Sequence, residues 1–309
     1  AGTLAIGAST VACLIMGIAA LRAGRLPGPE LAVLALTPLA TAELVAGLPD
    51  AAARLLGARH SAHRLAELDR TPTPITEPVA PRDVSGTTEL TVEALSVRWP
   101  GAAADAVTGL DLHVGARRGV VLTGPSGAGK STALAAIMRQ LDPSAGRIAL
   151  DTVDTRASTS DAVRARFAWC GPDTHLFDST LRQNLLLARP DATDADLRTA
   201  LRRARLGAWL DGLPAGLDTP LGAHGAGVSG GERQRIGVAR ALLADRHFVL
   251  LDEPTAHLDG PTAAALAADL QALTADRAAL IVTHRPDDFP DLPAVDLATP
   301  TVAATRGAP

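Results

Sequence analysis

Nine consecutive residues restrict the fold more than anything else in the chain: Gly124, Pro125, Ser126, Gly127, Ala128, Gly129, Lys130, Ser131 and Thr132. They read G-x-x-x-x-G-K-[ST], a loop whose glycines let backbone N–H groups curl around a phosphate. Such a loop works only where a strand delivers the chain and a helix N-terminus receives it. Both flanks comply: Gly119-Val-Val-Leu-Thr123 is a short β-type run, and Thr132-Ala-Leu-Ala-Ala-Ile-Met138 is a good helix former. Lys130 is also the single lysine among 29 Lys and Arg residues. A compact ammonium on a flexible stem suits the β- and γ-phosphates of a nucleotide, where a planar guanidinium forks differently.

Downstream, His247-Phe-Val-Leu-Leu-Asp-Glu-Pro254 is an apolar strand ending in two acids. Ionised carboxylates beside an apolar run call for a cation, so Asp252, together with Ser131, is the expected Mg2+ holder. Glu253 is then placed to polarise the attacking water. A second apolar strand, Ala278-Ala-Leu-Ile-Val-Thr283, ends at His284, which could hydrogen-bond a γ-phosphate. Upstream, Leu95, Val97 and Trp99 alternate with polar residues, as do Leu110, Leu112 and Val114. Both read as half-buried strands, with the Trp99 face available to stack on adenine. Ser229, Gly230, Gly231 and Glu232 form an S-x-x-E capping box at a helix start whose two glycines expose backbone donors. One phosphate loop needs no second anion-facing helix mouth, so this one is expected to face the nucleotide of another domain.

The N-terminal part is different in kind. No charge occurs from Ala1 to Leu21, and a second apolar run from Leu31 to Leu48 is broken only by Pro38 and Glu43. Runs of about 20 apolar residues span a bilayer core, so the two read as a transmembrane helical hairpin. Glu43 is placed at the bundle interior or the interface. Asp50 to Asp69 reads as a helix leaving the membrane, and Arg54, Arg59, Arg64 and Arg70 favour a cytoplasmic exit. Four prolines between Thr71 and Pro81 then break the helix. The organisation is thus 1–70 as the last part of a membrane domain, 71–88 as a Pro-rich linker and 89–309 as the ATPase. With no initiating Met, the chain reads as part of a longer protein. The net charge of −4 argues against a nucleic-acid partner. Cys13 and Cys170 lack metal-ligand spacing and read as reduced.

Taken in order and spacing, Gly124–Thr132, Val228–Glu232, Leu250–Pro254, Ala256-His-Leu-Asp259 and His284 resemble the Walker A, signature, Walker B, D-loop and switch-histidine segments of an ABC-transporter ATPase. The resemblance implies an α/β P-loop fold with a RecA-like core, an antiparallel β subdomain and a helical signature subdomain. It also implies ATP and Mg2+ as cofactors, and Asp259 and the signature as contacts across a head-to-tail pair of such domains. Fusion behind membrane helices resembles the exporter type: a multi-pass plasma-membrane protein, its ATPase cytoplasmic, pairing with a second half-transporter and acting on a small molecule. Asp173–Pro190 and Gly222–Glu232 are similar to the CydC-type half of the CydDC exporters, which implies thiols or haem as cargo.

One position departs from the family pattern. Where a glutamine is expected before Asp173, this chain has Pro172, which offers no side-chain donor or acceptor. A degenerate, regulatory half of a heterodimeric multidrug or lipid exporter therefore stays open. A soluble ABC clamp is the alternative of another class.

Overall fold

The computed structural model describes residues 2–45, 47–70, 73–115, 118–222, 225, 227–256, 258–274 and 277–297. These fall into two compact units, Ala1–Pro72 and Thr73–Pro309.

The first unit holds α1 (Gly2–Arg22), α2 (Gly28–Val45) and α3 (Leu48–Arg70). The two apolar runs are helices packed on each other. They approach closely at Gly17, where a Cβ would stand 2.5 Å from Leu31 Cδ1. Helix α2 continues through Pro38, and the Thr41 hydroxyl donates to the Thr37 and Pro38 carbonyls there. Val11, Ile15, Met16, Val33, Leu36 and Leu39 stay exposed, and α3 buries no residue. Among the described residues, no helix is long and apolar enough to cross a membrane. The side chain of Glu43 lies outside the described residues.

The second unit opens with β1 (Leu90–Val97), β2 (Val107–Val114) and β3 (Gly119–Thr123), followed by α4 (Lys130–Ile137). Next come β4 (Ala145–Leu150), β5 (Val153–Asp154), α5 (Ser160–Arg164) and β6 (Phe167–Cys170). A helical stretch holds α6 (Leu181–Leu186), α7 (Asp194–Arg203), α8 (Gly207–Asp211) and α9 (Gly230–Leu243). The chain then runs through β7 (Phe248–Asp252), α10 (Gly260–Leu273), β8 (Ala278–Val282) and β9 (Ala294–Asp296).

Two sheets result. One is antiparallel in the order β2-β1-β4-β5; the other is parallel in the order β6-β7-β8-β3-β9. The central strands β7 and β8 are buried at every position, which is why they read as unbroken apolar runs rather than alternations. Alternate residues serve opposite faces. Val121, Val249, Leu251 and Ile281 join a core shared with α7, α9 and α10. Val120, Leu122, Leu250, Leu280 and Val282 join a core shared with α4 and the antiparallel sheet.

The alternation of Leu95 and Val97 is offset from that of Leu90 and Val92 by a bulge. Ala94 sits there at φ 45° and donates its N–H to Asp111 Oδ1 at 2.6 Å. Strand β1 ends at Val97, so Trp99 lies just beyond it.

The Pro-rich segment is not a loose tether from Thr73 onward. Arg139, only 1% exposed, lies just past α4 and donates to the carbonyls of Thr155, Ser158 and Thr76. Asp142 accepts from Thr76 N at 2.7 Å and donates its own N–H to Pro74 O at 3.0 Å. Farther along, Ser160 N bonds Glu77 and Arg82 N bonds Ala157 O. Val84 ends the segment inside the core. Within the segment, the Thr76 carbonyl is taken by this guanidinium and the Pro74 carbonyl by the Asp142 N–H.

Candidate functional site

Strand β3 delivers the chain to the loop, and α4 takes it away with Gly129 as its N-cap at φ 95°. Among the described residues no side chain caps that end, which leaves the first-turn N–H groups of α4 at the loop. Gly129 is held by its surroundings: a Cβ there would stand 2.2 Å from Ala106 O. Lys130 folds back over the loop, its Nζ donating to Gly124 O at 2.8 Å and Pro125 O at 3.1 Å. Those carbonyls mark where the ammonium rests until stronger anionic acceptors arrive.

Parallel pairing brings the Walker-type strands together at their C-terminal ends, where open α/β sheets bind ligands. Ser131 Oγ donates to Asp252 Oδ2 at 3.0 Å, joining residues 121 positions apart. Asp252 is buried, and burial, helped by the neighbouring Glu253 carboxylate, raises its carboxyl above the ordinary range; the Ser131 hydroxyl opposes that rise. Glu253 follows at φ 52°, its N–H bonded to Val282 O at 2.8 Å. Its carboxylate Oε2 lies 2.8 Å from His284 Nδ1. His284 itself is exposed.

Lys130, Ser131, Asp252 and Glu253 line one open cavity of about 360 Å³, and His284 stands off its lining beside Glu253. Ser126, Gly127, Gly129, Lys130, Ser131 and Thr132 form one wall; Ala106, Pro172, Asp252 and Glu253 form the other. A larger hollow of about 950 Å³ lies between Gly119, at the opposite end of β3, and Leu292–Pro293. It gathers none of the motif residues, so size does not mark the site. Trp99 reaches the cavity rim by donating from Nε1 to Thr132 Oγ1 at 3.1 Å, with its ring about half exposed.

Ser131 and Asp252 offer a hydroxyl and a carboxylate, hard oxygen donors that fit a Mg2+ ion held mainly by phosphates and water. Among the described residues, no group of three or more His, Cys, Asp or Glu is arranged to hold a metal.

The capping box is present at α9: Ser229 Oγ accepts from Glu232 N at 3.3 Å, and Glu232 Oε2 accepts from Ser229 N at 2.8 Å. Ser229 and Gly230 are exposed, and Ser229, Gly230, Gly231 and Glu232 do not line the cavity. Asp259 caps α10, its carboxylate held below the ordinary range by the Thr262 backbone N–H and hydroxyl. It too lies off the cavity; His257 lies outside the described residues. Cys170 is buried and its thiol is pushed up to about 12, mainly by desolvation, which leaves it unreactive at neutral pH.

Sequence reasoning overlooked two contributors. Ala106 is a small residue in a loop and carries no signal. Gln234 does: it sits at helical spacing with Val238 and Ala241 on the buried face of α9, where an amide is out of place.

Comparison with known proteins agrees with this geometry. Residues 107–256 match the family profile described as ABC transporter. The chain is 37% identical over 207 residues to the ATP-dependent lipid A-core flippase of Neisseria meningitidis, covering 67% of this chain and 33% of that protein. It is 34% identical over 259 residues to the glutathione/L-cysteine transport system ATP-binding/permease protein CydC of Escherichia coli, covering 84% of this chain and 45% of that protein. Among solved structures, a bacterial Atm1-family ABC exporter with ATP bound superposes with a TM-score of 0.69 at 27% identity, over 96% of this chain and 52% of that one. The chain thus spans from a third to about half of the length of these proteins.

Proposed function

We propose that this chain, whose residues 107–256 match the ABC transporter profile, is the ATP-binding and permease part of an exporter. In this reading ATP binding and hydrolysis drive a small molecule across the plasma membrane. Lys130 leaves the Gly124 and Pro125 carbonyls for the β- and γ-phosphates, and the N–H groups of Ser126, Gly127 and Gly129, with those opening α4, cradle them. Ser131 and Asp252 would hold Mg2+, which neutralises phosphate charge as the terminal bond breaks. Glu253 orients and deprotonates the attacking water, His284 holds the Glu253 carboxylate and senses the γ-phosphate, and the Trp99 ring covers the adenine.

The observation that carries this reading is a half-built site. Lys130, Ser131, Asp252 and Glu253 meet at one open cavity, while the helix mouth of Ser229, Gly230, Gly231 and Glu232, exposed at its first two residues, lines none of it. A second half-transporter supplies the missing half and receives this mouth, with Asp259 at the contact. Closing two such sites must favour the closed form by about 5.5 kcal/mol to swing a 1:99 equilibrium to 99:1.

Helices α1 and α2 are read as part of the membrane domain, supported by their exposed apolar side chains. The relative named for glutathione and L-cysteine transport aligns over a stretch longer than the second unit, so the likeness extends into the first unit, at least to α3. Thiols are therefore the first cargo to test, then haem and lipid.

The test uses the complete assembly reconstituted in lipid. Mg2+-dependent ATPase activity is expected, stimulated by the true cargo and reduced to background in Lys130→Ala. Undiminished activity in that variant overturns the reading. Recovery of the full-length protein without detergent would instead favour a soluble ABC clamp.

Pro172 supports a second reading, because it lines the cavity where a glutamine side chain is expected. This site would then bind ATP as the regulatory half of a heterodimer. Glu253→Gln separates the two: a fall of about 100-fold or more in turnover fits a working base, and an unchanged rate fits the regulatory half.

A further inference from the structure

One buried amide on α9 lies outside the roles assigned above. Gln234 is only 4% exposed. Its Nε2 lies 3.3 Å from Gly171 O and 3.5 Å from Glu253 O, both at the long end of hydrogen-bond range. The two acceptors belong to different strand exits, β6 and β7, and each adjoins the reaction. Glu253 carries the carboxylate; Gly171 precedes Pro172, which lines the same cavity.

The Glu253 backbone also needs holding. Its φ of 52° is a left-handed conformation that non-glycine residues keep only when neighbours over-determine it. Its N–H is bonded to Val282 O and its carbonyl accepts from Ala256 N at 3.1 Å. Gln234 is the contact that reaches it from another layer, the helix α9.

A second observation fixes α9 against the same loop. At Gly237, a Cβ would stand 2.1 Å from Thr174 Oγ1 and 3.0 Å from Cys170 Sγ. The helix therefore rests directly on the chain leaving β6 and cannot shift without moving it. Pro172 can make no side-chain tie across this junction, so the amide of Gln234 does.

We infer that Gln234 is a positioning residue for hydrolysis: it clamps the backbone of Glu253 and Gly171 to α9, so that the helix bearing Ser229 and Glu232 sets the aim of the carboxylate in its own domain. The inference rests on Glu253 acting as the general base.

The test is a double-mutant cycle in the complete assembly in lipid, reading turnover and the affinity for a fluorescent ATP analogue. Gln234→Met keeps the volume and removes the donor. Turnover is expected to fall about tenfold, as coupled neighbours do, with nucleotide affinity within about twofold because the phosphate loop is untouched. In the Glu253→Gln background, where no base remains to aim, the same change is expected to cost nothing further in single-turnover hydrolysis. Unchanged turnover, an equal loss in both backgrounds, or a loss of affinity in step with turnover each overturns the inference. Should Gln234→Met fail to assemble, Gln234→Glu replaces the donor by an acceptor of the same shape and is judged by the same cycle. Wild-type protein without Mg2+-dependent hydrolysis would sink the reading of Glu253 and this inference with it; hydrolysis with additive losses sinks this inference alone.

Discussion

Two glycines of one loop should respond very differently to the same methyl group. Gly127 and Gly129 both have positive φ, 82° and 95°. An L-residue held in such a region costs about 1–3 kcal/mol. At Gly127 a Cβ would meet nothing within 4 Å, so strain is the whole cost. At Gly129 it would meet Ala106 O at 2.2 Å and Val107 Cγ2 at 2.8 Å. That carbonyl cannot retreat easily, because Val107 starts β2 and Ala106 N is bonded to Val97 O at 2.7 Å. The loop must give way instead, by more than an ångström, which takes the α4 amides out of hydrogen-bond reach of a phosphate. Without nucleotide the loop can relax into another conformation, so both costs appear when ATP recruits the cradle. Gly127→Ala is expected to weaken ATP about 5- to 30-fold, the affinity equivalent of roughly 1–2 kcal/mol. Gly129→Ala should weaken it at least about 100-fold. Titration of a fluorescent ATP analogue onto both variants, with melting temperatures as a folding control, measures the gap. Equal affinities would refute the close-approach argument, and a folded Gly129→Ala that binds like wild type would refute the cradle itself.

Asp252→Asn should stabilise the nucleotide-free protein while abolishing Mg2+-dependent hydrolysis. Burial, with Glu253 adding, raises the Asp252 carboxyl above 3.8, so the folded state binds that proton more tightly than the unfolded chain. Stability therefore falls as pH rises from the unfolded value through the raised folded one. Removing the charge should raise the melting temperature measured by calorimetry; a lower melting temperature would contradict the burial argument. Trp99→Ala should weaken ATP by about 1–3 kcal/mol of lost stacking, and Trp99→Phe should recover most of it despite losing the bond to Thr132; equal losses would move Trp99 off the adenine. Arg139→Met strips the guanidinium from the Thr76, Thr155 and Ser158 carbonyls; Thr155 O keeps the Ser158 N–H, and the buried Ser158 carbonyl left without a donor costs about 1–3 kcal/mol. It should lower the urea midpoint and open residues 73–81 to limited proteolysis, and unchanged cleavage there would show that the segment is held some other way.

The parts of this protein legible in the sequence are those whose physical demands are local. A loop needing φ above zero at Gly127 and Gly129, followed at once by a helix, occupies one continuous segment. So does the S-x-x-E box, whose two hydrogen bonds close within α9. Strands β7 and β8 announced themselves because burial on both faces excludes polar residues from four successive positions of β7 and five of β8. Composition also located the two helices of the hairpin, since an apolar run without charge has few other stable forms.

Tertiary structure decided which of these segments meet. Ser131 finds Asp252, and Glu253 finds His284, only because parallel pairing of β3, β7 and β8 sets their ends side by side. No spacing in the chain encodes that register; it follows from packing two cores against opposite faces of one sheet. The segment from Thr73 read as a Pro-rich linker because proline breaks local structure, and its Thr76 carbonyl is taken by a guanidinium more than sixty residues away. Gln234 looked like one polar residue among many on a helix, and its meaning lies in two carbonyls from other strands. Hydrogen-bond demand is written residue by residue, but its satisfaction is long-range, and only the folded chain shows where each donor ends.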